Sequence, residues 1–124
     1  MAFVKFTKVG RSFATKVSLS PRGMLSFNDG ARHKHEIDKY SYSVLYYDKE
    51  RSVIGVELTN DKDAEGALKI RFRKTGADLG VKSFIDYFEL VPEVTTMYAV
   101  EVGDDENWIN IDLNTGRQRK IKSD

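Results

Sequence analysis

Lys69, Arg71 and Arg73 stand at alternate positions in the run Ala67-Leu68-Lys69-Ile70-Arg71-Phe72-Arg73-Lys74. On an extended chain, alternation puts the three cations on one face, about 6.6 Å apart, with Leu68, Ile70 and Phe72 anchoring the strand from behind. That spacing is comparable to the distance between phosphates along a nucleic-acid strand. Cations held rigidly there bind the backbone without reading sequence. Lys74 extends the row, and Arg11, Lys16 and Arg22 supply further positive charge from the N-terminal segment. Tyr40, Tyr42 and Tyr46, also at even spacing, are candidates for stacking on bases or for an interface. The competing reading is a solvated strand face, since lysine and arginine commonly blunt sheet edges.

Other chemistry is set aside on spacing. Asp61-Lys62-Asp63-Ala64-Glu65-Gly66 matches the first half of a calcium loop, but the position of the closing bidentate acid holds Phe72. Gly76, Gly80, Lys82 and Ser83 do not have the spacing of a phosphate loop, which needs its second glycine directly before the lysine. His33 and His35 are the only histidines, two apart and without an evident third ligand. There is no cysteine, which excludes disulfides, thiol catalysis and iron–sulfur sites and fits a reducing compartment. No catalytic constellation, metal site or cofactor motif emerges, so the expectation is a non-enzyme without cofactors.

The elements that must position these residues are hairpins. Tyr40–Thr59 reads as two strands joined by the polar tip Asp48-Lys49-Glu50-Arg51. Pairing Tyr47 with Ser52 sets Leu45 opposite Ile54 and Ser43 opposite Val56, an apolar face completed by Leu58 that points into a core. The other face carries Tyr40, Tyr42 and Tyr46, with Gly55 as a gap opposite Val44. Before this hairpin, a strand with Phe13, Thr15, Val17 and Leu19 on one side reaches the Pro21-Arg22-Gly23 turn and returns through Met24–Asn28. Asn28 or Asp29 caps a short helix running to about Ile37. After Thr75-Gly76 comes a short strand. Ser83 with Asp86 then suggests a capping box for a second helix carrying Phe84, Ile85 and Phe88, stopped by Pro92. A last hairpin pairs Thr95–Val102 with Asn107–Leu113, Ile109, Ile111 and Leu113 facing inward.

The fold expected is α+β, mostly antiparallel hairpins of about seven to eight strands with two short helices. A single domain spans residues 1–113, and residues 114–124 form a basic tail or one more edge strand. Charge is segregated: Met1–Arg22 holds five cations and no acid, whereas Ser83–Asp112 holds eight acids and no lysine or arginine. Either the folded protein is bipolar or the acidic part folds back on the basic part. The N-terminus has no continuous apolar run, so neither a signal peptide nor a membrane anchor is expected, and a cytoplasmic setting is.

Val17–Asn28, a short helix and Val44–Leu58 together resemble the swapped-hairpin fold of AbrB-type transition-state regulators. Arg22-Gly23 matches the arginine-glycine turn of that family. The chain departs from it with Asn28 in place of proline and Asp38-Lys39-Tyr40-Ser41 in place of a glycine-aspartate turn. The resemblance covers about the first half of the chain and implies a homodimer that binds DNA through Arg11, Lys16 and Arg22. The chain also resembles small proteins of phages and plasmids. The alternative function is therefore a structural or assembly protein that uses its hairpins as protein interfaces.

Overall fold

The computed structural model describes residues 3–5, 15–103 and 105–118. Nine strands form one antiparallel sheet: β1 (Lys16–Leu19), β2 (Met24–Asn28), β3 (Tyr42–Asp48), β4 (Val53–Thr59), β5 (Leu68–Lys69), β6 (Arg71–Arg73), β7 (Gly76–Gly80), β8 (Thr96–Val102) and β9 (Trp108–Gln118). Two short helices, α1 (Asp29–Lys34) and α2 (Lys82–Tyr87), interrupt the strands. No helix among the described residues is long and apolar enough to cross a membrane.

The spatial order is β5-β3-β4-β9-β8-β1-β2-β7-β6. The two outermost strands, β5 and β6, are separated in sequence by Ile70 alone, so the edges of the sheet must lie side by side. The sheet is therefore rolled into a cylinder of eight staves, one of them broken at Ile70. A barrel of this size is filled by its own side chains. Alternate residues of β1, β2, β4, β7 and β9 supply most of them: Val17 and Leu19, Leu25 and Phe27, Ile54 with Val56 and Leu58, Ala77 and Leu79, and Ile109 with Ile111 are all buried. Ile70 is buried at the break, its N–H donating to the Ser41 carbonyl at 2.9 Å. The seam is short, because only Tyr42 and Ser43 of β3 pair with β5. Beyond them Val44 and Leu45 face Gly80–Phe84 across a cleft of about 540 Å³. Next to it α2 lays Phe88 against Tyr47, ring centroids 5.1 Å apart.

This arrangement corrects the expectation of one continuous strand from Ala67 to Thr75, and the break raises the strand count to nine. The hairpin β3–β4 forms with a register two residues from the expected one: Leu45 opposes Val56, Tyr47 opposes Ile54 and Ser43 opposes Leu58. A shift of two preserves the side-chain alternation, so the same face is buried. The second helix also differs. Val81 is its N-cap and makes no side-chain hydrogen bond, Asp86 pairs with Lys82 at 3.0 Å, and Glu89 leaves the helix with φ 57°, well before Pro92. β9 continues past Leu113 to Gln118, pairing with β8.

Asn28 caps α1 by accepting from the Ala31 N–H at 2.9 Å. α1 sets its buried Gly30 and Ala31 toward the barrel, and His35 beyond it is 7% exposed, its Nε2 without a hydrogen-bond partner among the described residues. Burial, with a smaller contribution from Lys34, holds the His35 pKa below its ordinary value. The unfolded chain then takes up this proton more readily than the folded one, so stability should fall as pH drops below about 6.5 and through the lowered folded value. Urea unfolding between pH 7.5 and 5.5 should show this slope, and His35→Phe should remove most of it. An unchanged slope in the variant would assign the dependence elsewhere.

Candidate nucleic-acid interface

Outward-facing residues on the barrel can be traced from strand to strand through the registers. Arg73 opposes Gly76, which opposes Asn28, and the next residue outward across β1 is Lys16. Lys16 and Arg73, 57 positions apart in the chain, line one depression of about 190 Å³ with Ser18, Ser26, Thr75 and Met97. An adjoining groove of about 480 Å³ places Lys16 beside Thr115 and Arg117. Arg71 opposes Asp78, one row along. Small hydroxyl side chains between the cations leave the groove floor open and able to donate hydrogen bonds to phosphate oxygens.

The cations are not equivalent. Arg73 donates from Nε to Asp78 at 2.7 Å and from Nη1 to Thr75 at 3.2 Å, so its charge is already partnered. Asp78 is largely buried and its Oδ1 has no hydrogen-bond partner among the described residues, which makes Arg73 the group that compensates it. Arg71, Lys16 and Arg117 are exposed and join no ion pair among the described residues. Lys74 is exposed in the β6–β7 turn, and Arg22 is exposed at the tip of the β1–β2 hairpin. Lys69 lies across the break at Ile70, opposite Tyr42 on β3. Arg11 lies outside the described residues.

Arg32 was not among the expected site residues. Its Nε meets Asp38 at 2.6 Å, its Nη1 donates to the carbonyls of Arg73 and Gly76, and its guanidinium lies 5.0 Å from the centre of the Phe72 ring. Phe72 is 43% exposed beneath this cation, which corrects its expected place in the core. Arg32 thus fixes α1 to the β6–β7 turn and holds the turn that presents Arg73. Nothing local in the sequence links these positions; only the return of β7 alongside β2 does.

The three tyrosines separate. Tyr40 precedes β3 and packs against the core, while Tyr42 and Tyr46 face outward. The glycine gap lies opposite Tyr46 rather than Val44, and it is filled: a Cβ at Gly55 would come within 2.5 Å of the Trp108 indole. Tyr46 and Trp108 have ring centroids 4.8 Å apart. In the ring of staves the β4–β9 pair carrying them lies across the barrel from β2 and β7. Carboxylates surround that far side: Glu57 opposes Trp108, Glu101 opposes Asn110 and Asp112 opposes Val53. None of the ion pairs among the described residues joins Met1–Arg22 to Ser83–Asp112. The two stretches are nevertheless neighbours, because β8 pairs with β1 and sets Ala99 opposite Lys16. No family model matches the chain, and neither does any curated protein or solved structure.

Proposed function

We propose that the protein is a non-catalytic module that binds nucleic acid through the phosphate backbone, tolerant of sequence, along the groove between Arg71, Arg73, Lys16 and Arg117. The observation that carries this reading is the meeting of Lys16 with Arg73 around one depression, with Arg117 in the adjoining groove and Arg71 one row along from Arg73. The neighbouring acid Asp78, opposite Arg71, is already committed to Arg73. Phosphate contacts of this kind give affinities of roughly micromolar or weaker and a steep salt dependence.

The test is titration into labelled single- and double-stranded DNA at several salt concentrations. Wild type should bind at low salt irrespective of sequence. The Lys16→Ser/Arg71→Ser double variant should bind every sequence more weakly, with a salt slope shallower by about 2. Arg73 is left in place because removing it would strand the half-compensated Asp78. Absence of binding by wild type at low salt would make the groove a solvated face.

A second reading, as an assembly protein, is favoured by a separate observation. Tyr87, 80% exposed, stands with exposed Phe88, Val91 and Val94 on α2 and the segment after it. Size-exclusion chromatography with light scattering distinguishes a monomer from the homodimer that either reading accommodates.

A further inference from the structure

We propose that the groove formed by Tyr46 and Trp108, on the β3–β4–β9 face of the barrel, is a binding site for a small organic cation of the alkylammonium type. The groove measures about 360 Å³ and is lined by Tyr46, Asp48, Arg51, Gly55, Trp108 and Asn110. Glycine at the centre of a strand weakens it, since it forfeits a packing side chain and costs more conformational entropy than other residues. At position 55 it lets the indole lie down on the sheet: any Cβ there, or at Gly103, would collide with the Trp108 ring.

The polar ends of both rings are already satisfied. Tyr46 donates its O–H to Glu57 at 3.1 Å, and Trp108 donates Nε1–H to Asn110 at 2.8 Å. A ligand therefore meets ring faces rather than unpaired polar atoms. Both donations push electron density back into the rings and strengthen the negative potential over their faces, which is the feature that attracts a cation. Tyr46 is 44% exposed, so part of this surface reaches solvent. The charges around it favour the same ligand. Asp48 on β3, Glu57 on β4, Glu101 on β8 and Asp112 on β9 face outward here, against Arg51 and its turn neighbour Lys49. A phosphate would be repelled from this side; an ammonium would be drawn to it.

Trp108 is the one tryptophan of the chain, so its fluorescence reports on the site directly. Choline chloride should change that fluorescence saturably, with roughly millimolar affinity. Its neutral carbon isostere 3,3-dimethyl-1-butanol, and sodium chloride at equal ionic strength, should leave it unchanged. Tyr46→Leu should abolish the response. Glu57→Gln and Asp48→Asn keep the hydrogen bonds from Tyr46 and from the Arg51 N–H, and each should weaken choline binding about 3-fold by loss of charge alone. An equal response to the neutral isostere, no saturable response to choline, or no effect of the two charge variants would overturn the proposal.

Discussion

The Ile54→Ala variant should lose about 2–5 kcal/mol of stability, the usual cost of emptying a fully buried aliphatic site. Ile54 is 2% exposed and sits between Tyr47 on β3 and Ile111 on β9, at the point where three consecutive staves contribute side chains to one layer of the barrel interior. Val56→Ala, one step along the same face, should cost less because fewer atoms are removed from a site that is equally closed. Tyr42→Ala should cost least of the three, since its ring faces outward and is only half-buried. Urea denaturation of the three variants checks the order. A Tyr42→Ala variant less stable than the other two would mean that the inner and outer faces of β3–β4 are exchanged.

The second large effect is expected at Gly23. Its φ of +90° lies where residues with a Cβ are disfavoured, and an added Cβ would stand 2.6 Å from the Cα of Lys82. The atoms it would meet, the N, Cα and Cβ of Lys82, are fixed by the backbone, so no rotamer change relieves the contact. The Gly23 carbonyl also accepts from the Val81 N–H at 2.7 Å, joining the β1–β2 turn to the start of α2. Gly23→Ala should therefore cost roughly 1–2 kcal/mol for the left-handed backbone and roughly 1–3 kcal/mol more for displacing α2. Thermal melting should register both. Gly80→Ala is the control, because a Cβ there meets nothing within 4 Å. Equal melting temperatures for the two variants would show that the turn and α2 separate without penalty.

What the sequence made legible was local. Alternation in Val17–Leu19, Ile54–Leu58 and Ile109–Leu113 identified the inward faces, and the turn chemistry at Pro21-Arg22-Gly23 placed the first hairpin. The β3–β4 register was missed by two residues because a tip without glycine or asparagine does not specify its own length, and Ser52 absorbs the turn with φ 55°. Phe72 looked like a core residue by periodicity alone. The edge to which each half of Leu68–Arg73 pairs depends on closure of the whole sheet, and no window of sequence contains that. The candidate groove was half legible for the same reason. Lys16, Arg71 and Arg73 are recognisable as candidate cations and Arg117 only as part of a basic tail, but the meeting of Lys16 with Arg73 follows from β1 lying beside β2 and β2 beside β7. Trp108 gave no signal apart from the unexplained glycine at position 55, which needed a large ring from another strand to account for it.

The short seam has a consequence for how the protein fails. Strands β5 and β6 hold the two ends of the sheet together with few ladder bonds, whereas β3 and β4 pair along seven residues. Amides of Leu68–Arg73 should accordingly be among the first in the sheet to exchange with deuterium, through an opening well below global unfolding. That opening unpairs the outer side of β3 and the outer side of β7 in one event, and β3 carries Tyr42, Val44, Tyr46 and Tyr47, residues of high strand preference. Two unprotected strands released together are templates for intermolecular pairing. Aggregation under mild stress should therefore track the exchange rate of this one stave, not the melting temperature of the barrel.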